Sequence, residues 1–276
     1  VIIRLAAADG ASAEIDTHGA QVTSWIPADG VERLFLSSAT QSGPGSTTRG
    51  GVPVIFPQFS GEGPLPKHGF ARRMEWQMLE QSQPPSGARA VLQLRDDEAS
   101  RLIWPHAFQL ELAVAVGGSQ LSMALTATNN SREPLIRPES GGFTFTGALH
   151  TYLRVADIGD TLIAGLGSRP YLDTVGGRVP RMQSEDELSF TGETDRIYFD
   201  APVQVIVQEK LRQITVEAQG FTDVVVWNPW AELGARLADM EPDGYRRMLC
   251  VEAAVIGRPV SLLPGESWRG LQRLTA

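Results

Sequence analysis

Apolar and polar positions alternate with a period of two along most of this chain. Phe108, Leu110, Leu112, Val114 and Val116 are separated by Gln, Glu and Ala. After the turn at Gly117-Gly118, Leu121, Met123, Leu125 and Ala127 resume the alternation, which predicts a β-hairpin. Val203, Val205 and Val207 repeat it, followed by Ile214 and Val216 and then by 224–227. Earlier strands are predicted at 1–5, 14–16, 22–26, 34–37, 76–79 and 90–94. Helical patterning is confined to 97–104, stopped by Pro105, and to 231–240, closed by Pro242 and Gly244. Neither segment serves as a βαβ crossover. The prediction is an all-β fold: one domain over residues 1–276, a large antiparallel β-sandwich with one or two short helices.

One stretch breaks the alternation. Residues 47–72 read TTRGGVPVIFPQFSGEGPLPKHGFAR, with Pro53, Pro57, Pro64 and Pro66 among several glycines. Helices and central strands do not tolerate that density of proline and glycine, so irregular backbone is expected. Arg49, Lys67, His68, Arg72 and Arg73 cluster on it. Two readings stay open from these residues: a solvated proline-rich loop, or a platform for an anion. The Pro/Ser-rich pieces at 41–48 and 83–88 and the stretch 130–142 read as loops, not interdomain linkers.

Charge sharpens that choice. The net charge is −8 and the pI about 5.1, which argues against a nucleic-acid partner. An acidic protein repels anions at long range, so an anionic ligand needs a local basic pocket. The four histidines (His18, His68, His106, His150) and the single Cys250 show no metal-ligand spacing, so no metal site is expected. One cysteine cannot form an internal disulfide, which favours a reducing, cytoplasmic setting. No run of about 18 apolar residues exists, so no membrane partner is expected, and nothing at the N-terminus reads as a signal peptide.

Four further stretches carry groups capable of chemistry. Ala148-Leu-His150-Thr-Tyr152 is placed at the start of a strand, and Thr194-Asp195-Arg196-Ile-Tyr198 ahead of another. Val226-Trp227-Asn228-Pro229-Trp230 ends a strand. Leu249-Cys250-Val251-Glu252-Ala253-Ala254 sets a carboxylate inside an apolar run. Glu252 lies either on the solvent face of an edge strand, the commoner case, or half-buried, where desolvation makes it a better base. A histidine such as His150 is more often bonded to backbone than catalytic. Asp195 with Arg196 also reads as a turn pair, and tryptophans such as Trp227 and Trp230 are more often core than ligand platform. No nucleophile elbow, phosphate loop or dinucleotide fingerprint is present.

Together, TTRGGVPVIFPQF, LPKHGFAR, ALHTYLRVADI, TDRIYF, VVWNPW and MLCVEAAVI with LLPGESW resemble the aldose 1-epimerase family, and within it the branch acting on hexose 6-phosphates. The segments occur in the family's order over roughly residues 20–270. The resemblance implies a galactose mutarotase-like β-sandwich, His150 as catalytic acid and Glu252 as catalytic base. It puts Arg49, His68, Arg72 and Asp195 on substrate-contacting positions. Lys67 stands where relatives often carry Gln, as a possible third cation. Arg72 and Arg73, read as extended backbone, should point to opposite faces, with Arg72 reaching the ligand.

The implied substrate is a hexose 6-phosphate, glucose 6-phosphate first, handled without cofactor by a monomer. Anomer exchange takes the proton from the C1 hydroxyl and gives one to the ring oxygen, which opens the ring. Two rivals remain. A carbohydrate-binding module, or an epimerase of unphosphorylated sugars, would keep the sandwich and the aromatics. A glycoside hydrolase needs two carboxylates about 5–9 Å apart, for which Glu252 and Asp195 are the candidates.

Overall fold

The computed structural model describes residues 1–40, 48–131 and 141–276. The loops expected at 41–48 and 130–142 lie largely outside the described residues. Among the described residues, twenty strands form three antiparallel sheets. The first is small: β1 (Ile2–Ala6), β2 (Ser12–Asp16) and β3 (Gln21–Ile26).

The second sheet carries the chemistry. It contains β4 (Val54–Ile55), β9 (Phe143–Leu149), β10 (Tyr152–Arg154), β12 (Pro170–Asp173), β13 (Val179–Met182), β15 (Thr194–Tyr198), β18 (Asp223–Asn228) and β19 (Met248–Leu262). Its order is β13-β12-β15-β18-β19-β9-β4, with β10 also pairing with β19. The third sheet contains β5 (Gln77–Ser82), β6 (Ala88–Arg95), β7 (Phe108–Gly117), β8 (Gln120–Asn129), β11 (Leu162–Ala164), β14 (Glu187–Ser189), β16 (Gln204–Gln208), β17 (Gln213–Gln219) and β20 (Ser267–Thr275). They run β14-β11-β16-β17-β20-β8-β7-β6-β5.

Phe108, Leu110, Leu112, Val114 and Val116 of β7 and Leu121, Met123, Leu125 and Ala127 of β8 turn inward, as their alternation predicts, and belong to one core that also takes Leu249, Val251, Ala253 and Val255 from β19. Because that core fills one face of β19, the intervening residues Cys250, Glu252, Ala254 and Ile256 face the other side of the sheet. There they meet two smaller apolar clusters: Phe35, Tyr152, Met240 and Met248 around Cys250, and Ile55, Phe59, Ala148, Ile197 and Val225 around Ala254 and Ile256. The edge-strand expectation for Glu252 is therefore wrong. β19 is central, both faces are covered, and Met248–Ile256 is buried throughout. A strand covered on both sides loses the alternation that would have revealed its orientation.

Other local expectations are corrected. Segment 34–37 forms only isolated bridges, Leu34 with Leu153 and Leu36 with Gly50. His150 follows β9 instead of starting a strand, and Thr194–Tyr198 is itself β15. The two helices are α1 (Glu98–Ile103), capped by Asp97 and Ser100, and α2 (Trp230–Arg236). Short 3-10 turns add to them at Ala71–Arg73, Ile158–Asp160 and Gly244–Arg247. Among the described residues, no helix is long and apolar enough to cross a membrane.

Candidate active site

Register builds the site. Leu149 pairs with Ala253 and Tyr152 with Cys250, so continuing the same antiparallel register puts His150 opposite Glu252. Glu252 in turn pairs with Val225, and Val225 with Ile197. The neighbouring row on the same face is Tyr152, Cys250, Trp227 and Asp195. Directly opposed side chains on one face are close enough to interact. His150, Glu252, Val225 and Ile197 of the first row and Trp227 and Asp195 of the second line a cavity of about 260 Å³, together with Arg49, Phe59, Lys67, His68, Thr174 and Arg178.

His150 Nδ1 lies 3.4 Å from Glu252 Oε1. Both side chains are buried, and neither His150 Nδ1 nor Glu252 Oε2 has a hydrogen-bond partner among the described residues. Burial, with Asp195 adding like charge, pushes the Glu252 carboxyl well above its ordinary range. Burial, then the neighbouring His68, Arg72 and Arg49, holds His150 well below an ordinary histidine. Both directions favour the neutral carboxylic acid and imidazole. The imidazolium–carboxylate arrangement differs from that pair by one proton moved across the 3.4 Å contact. The imidazole ring is fixed by stacking on Tyr152 at 4.7 Å and 10°. Its backbone is fixed by the bond from His150 N to Pro53 O, 3.0 Å. Directly behind it, Thr151 Oγ1 donates to Gln272 Oε1 at 2.5 Å and Gln272 Nε2 donates to Val251 O at 3.2 Å, a buried polar tie between the two large sheets.

The irregular stretch supplies the third wall. Gln58 straps it by donating to Ser60 O and Leu65 O and accepting from Leu65 N. Gly69, at φ +66°, lies so close to Phe56 O that a Cβ would sit 2.1 Å from it. That backbone presents His68, whose Nδ1 accepts from Ser60 N at 3.3 Å. The neutral tautomer therefore carries its proton on Nε2. Burial, followed by Arg72, Lys67 and Arg49, brings His68 down to about 3, so it stays a neutral donor.

The cations divide. Arg49 Nε and Nη2 donate to Asp239 Oδ1 at 3.1 and 3.0 Å, and Nη1 donates to Tyr152 Oη at 3.2 Å. Burial opposes its charge, but Tyr152 and Asp239 outweigh it and raise the arginine. Arg72 does not line the cavity. It stands beside it, donating to Lys67 O at 3.2 Å, with Nε buried and unpartnered. Burial, Arg73 and Arg49 bring it down to about 10. The two arginines do diverge, Arg72 partly buried and Arg73 exposed, but for a different reason from the one expected. They occupy a 3-10 turn, where successive side chains fan out, not an extended strand. Lys67 is exposed at the rim, and Asp195 lines the far wall, its carboxyl raised mainly by burial.

His150, Cys250 and Glu252 bring metal-ligating atoms within 4.8 Å of one another, a grouping their spacing does not reveal. Cys250 nonetheless packs among Phe35, Met240 and Met248, and burial beside Glu252 keeps its thiol protonated. The arrangement suits proton transfer and not metal binding. Asp239, Thr174, Arg178 and Gln272 were missed by sequence reasoning. Each is a common polar residue in or beside a loop or strand, with no local pattern to single it out.

A buried imidazole–carboxyl pair on the sheet face of an antiparallel sandwich, ringed by sugar-sized space and cations, defines the architecture of a carbohydrate mutarotase. The sequence pattern of the family described as aldose 1-epimerase matches residues 1–275, and the chain belongs to that family. A Cenchrus ciliaris protein provisionally named glucose-6-phosphate 1-epimerase is 37% identical over 275 residues, covering 96% of this chain and 81% of the relative. An Escherichia coli protein with the same provisional name is 36% identical over 242 residues, 86% of this chain and 77% of its own length. The crystal structure of a Salmonella typhimurium protein provisionally called a mutarotase superposes with a TM-score of 0.86 at 30% identity, covering 96% and 86% of the two chains.

Proposed function

We propose that the protein interconverts the α and β anomers of a hexose 6-phosphate, glucose 6-phosphate first, with Glu252 as base and His150 as acid. The observation that carries this reading is the His150–Glu252 contact of 3.4 Å, with an unpartnered buried atom on each side chain, opening onto a cavity flanked by Arg49 and Arg72. The carboxylate takes the proton of the C1 hydroxyl as the imidazolium protonates the ring oxygen. The C1–ring-oxygen bond breaks and an open-chain aldehyde forms. Rotation about C1–C2 presents the other carbonyl face, and the reverse transfers close the ring. The pair ends with the proton count it began with, so no redox partner or second substrate enters. Each positioned group contributes about 10²–10⁴-fold.

His68 Nε2–H is suited to a sugar oxygen, and Trp227 and Phe59 to the apolar edges of the ring. Arg49 and Arg72 repel each other beside the same cavity, a cost that a phosphate of about −1.5 to −2 charges relieves. The relatives' names support the phosphorylated substrate. Saturation-transfer NMR on glucose 6-phosphate and on glucose tests the reading. The expected result is a higher kcat/KM for the phosphate, and equal or reversed preference refutes it.

A further inference from the structure

Asp239 belongs to none of the motifs above, yet it makes two of the three side-chain contacts that hold Arg49 among the described residues. The contacts occupy particular edges of the guanidinium. Asp239 Oδ1 takes Nε–H and one hydrogen of Nη2, and Tyr152 Oη takes one hydrogen of Nη1. The second hydrogen of each terminal nitrogen is unclaimed among the described residues. One donor on each terminal nitrogen is therefore left for the paired oxyanion oxygens that arginine grips. The guanidinium carbon also lies 5.8 Å from the centre of the Trp227 ring.

The loop bearing Asp239 is itself anchored on both sides. Met240 N donates to Leu237 O at 3.0 Å, and Glu241 N donates to Ser37 Oγ at 3.1 Å. The Glu241 carboxylate accepts from Ser38 Oγ at 2.8 Å and from Arg247 Nη2 at 2.6 Å. Arg49 is fastened to the same neighbourhood, its N donating to Thr40 Oγ1 at 3.0 Å and its O accepting from Ser37 N at 2.9 Å. Both partners thus hang from one braced segment, and their separation is fixed by backbone instead of by side-chain chance.

We infer that Asp239 is a positioning and specificity-determining residue, which presents the free donors of Arg49 to the substrate phosphate and acts as its resident counter-charge when the substrate has none. The inference rests on the phosphate reading above. It has two separable consequences. Orientation is lost if the carboxylate is removed, because Arg49 must then be immobilised at each binding event. Charge is a different matter: the carboxylate sits behind the guanidinium and repels the incoming phosphate, so an uncharged acceptor of the same shape should keep the pose and hold the phosphate more tightly.

The test is the pair Asp239→Ala and Asp239→Asn, assayed by anomer exchange on glucose 6-phosphate and on glucose, with calorimetric titration of glucose 6-phosphate as a direct binding readout. Asp239→Asn should tighten glucose 6-phosphate binding about 2- to 5-fold beyond the parent, the scale of one part-exposed charge. Asp239→Ala loses the same charge and the orientation as well, so its KM for glucose 6-phosphate should stand about 2- to 13-fold above that of Asp239→Asn, the equivalent of immobilising one long side chain. In both variants kcat, and KM for glucose, should stay at the parent value. An Ala variant whose KM for glucose 6-phosphate does not exceed that of the Asn variant, or one whose KM rises equally for glucose, overturns the role of Asp239. So does an Asn variant that binds glucose 6-phosphate no more tightly than the parent. A parent protein whose affinity for glucose 6-phosphate is unaffected by Arg49→Ala refutes the phosphate reading itself, whatever Asp239 does.

Discussion

His150 and Glu252 face each other across neighbouring antiparallel segments at 3.4 Å, each with a buried polar atom that has no hydrogen-bond partner among the described residues. Leaving such atoms unpaired costs folding free energy, and on the proposed mechanism the site gains a pair free to exchange protons with a bound sugar. Glu252→Gln keeps the shape and the hydrogen-bonding oxygen but cannot accept a proton. Anomer exchange in this variant should fall by at least about 10²-fold, with glucose 6-phosphate binding retained. A folded variant that exchanges anomers near the parent rate in saturation-transfer NMR would remove Glu252 from the mechanism.

His68 links the site to acid stability. Its pKa is brought from 6.5 down to about 3 on folding, by burial first and then by Arg72, Lys67 and Arg49. A group depressed in this way contributes stability that is fully present above 6.5 and is lost as pH falls toward 3, since the unfolded chain takes up the proton first. The parent should therefore lose thermal stability over that window faster than His68→Asn, which does not titrate there. Bound glucose 6-phosphate should reduce the difference, because its charge offsets the three cations. Parallel Tm-against-pH curves for the two proteins, without ligand, would contradict the assignment.

The hairpin β7–β8 and most long strands of the third sheet are legible in the sequence, because one face of each meets the core and the other meets water. The second sheet is harder to read. β19 is covered on both faces, so Cys250, Glu252 and Ala254 share a face with no polarity contrast to mark it. Glu252 was recognisable as an anomaly, whereas its orientation followed only from pairing with Val225 and with the His150 segment. Arg72 was assigned to the site from its motif, but its 3-10 geometry was hidden by surrounding glycine and proline. Asp239 was invisible for a more general reason. Its partner Arg49 is 190 residues away, and a charged residue in a polar loop has no local signature for a contact of that range.

Arg72 and Arg73 offer a comparison within one turn. Arg72 is partly buried with an unpartnered Nε beside the cavity, and Arg73 is exposed. Arg72→Ala should weaken glucose 6-phosphate by roughly 10–150-fold, the loss of one charge-assisted contact of about 1.5–3 kcal/mol. The change should appear in KM more than in kcat, because the contact is remote from C1. Arg73→Ala should be nearly silent. Turnover of glucose should be unchanged in both. If Arg72→Ala harms glucose as much as its phosphate, Arg72 shapes the pocket and does not read the phosphate.

Asn228 connects the fold to the site without touching substrate. It ends β18 fully buried, and its Nδ2 donates to Tyr245 O and Met248 O, each at 2.8 Å. Its Oδ1 accepts from Trp230 N at 2.8 Å, holding the residue that opens α2 at φ +56°. One side chain thus joins the end of β18, the start of α2, the 3-10 turn at Gly244–Arg247 and the start of β19. The Asp239 loop spans the gap between two of these elements. Asn228→Ala leaves two carbonyls and an amide without their partner, so stability should fall by about 1–3 kcal/mol. A Tm lowered by about 2 °C or more is the measurable form for a chain of this size. Leu211→Ser, at a side chain 99% exposed, supplies the control and should stay within about 0.5 kcal/mol. Below its own Tm, the Asn228 variant should also show a raised KM for glucose 6-phosphate with kcat close to the parent, because Asn228 braces only the first residue of β19, whereas Glu252 is held further along that strand by its pairing with Val225 and His150 by the bond from its N to Pro53 O. A variant that loses kcat and KM alike on both sugars would mean that the β18–β19 corner supports the proton-transfer pair itself.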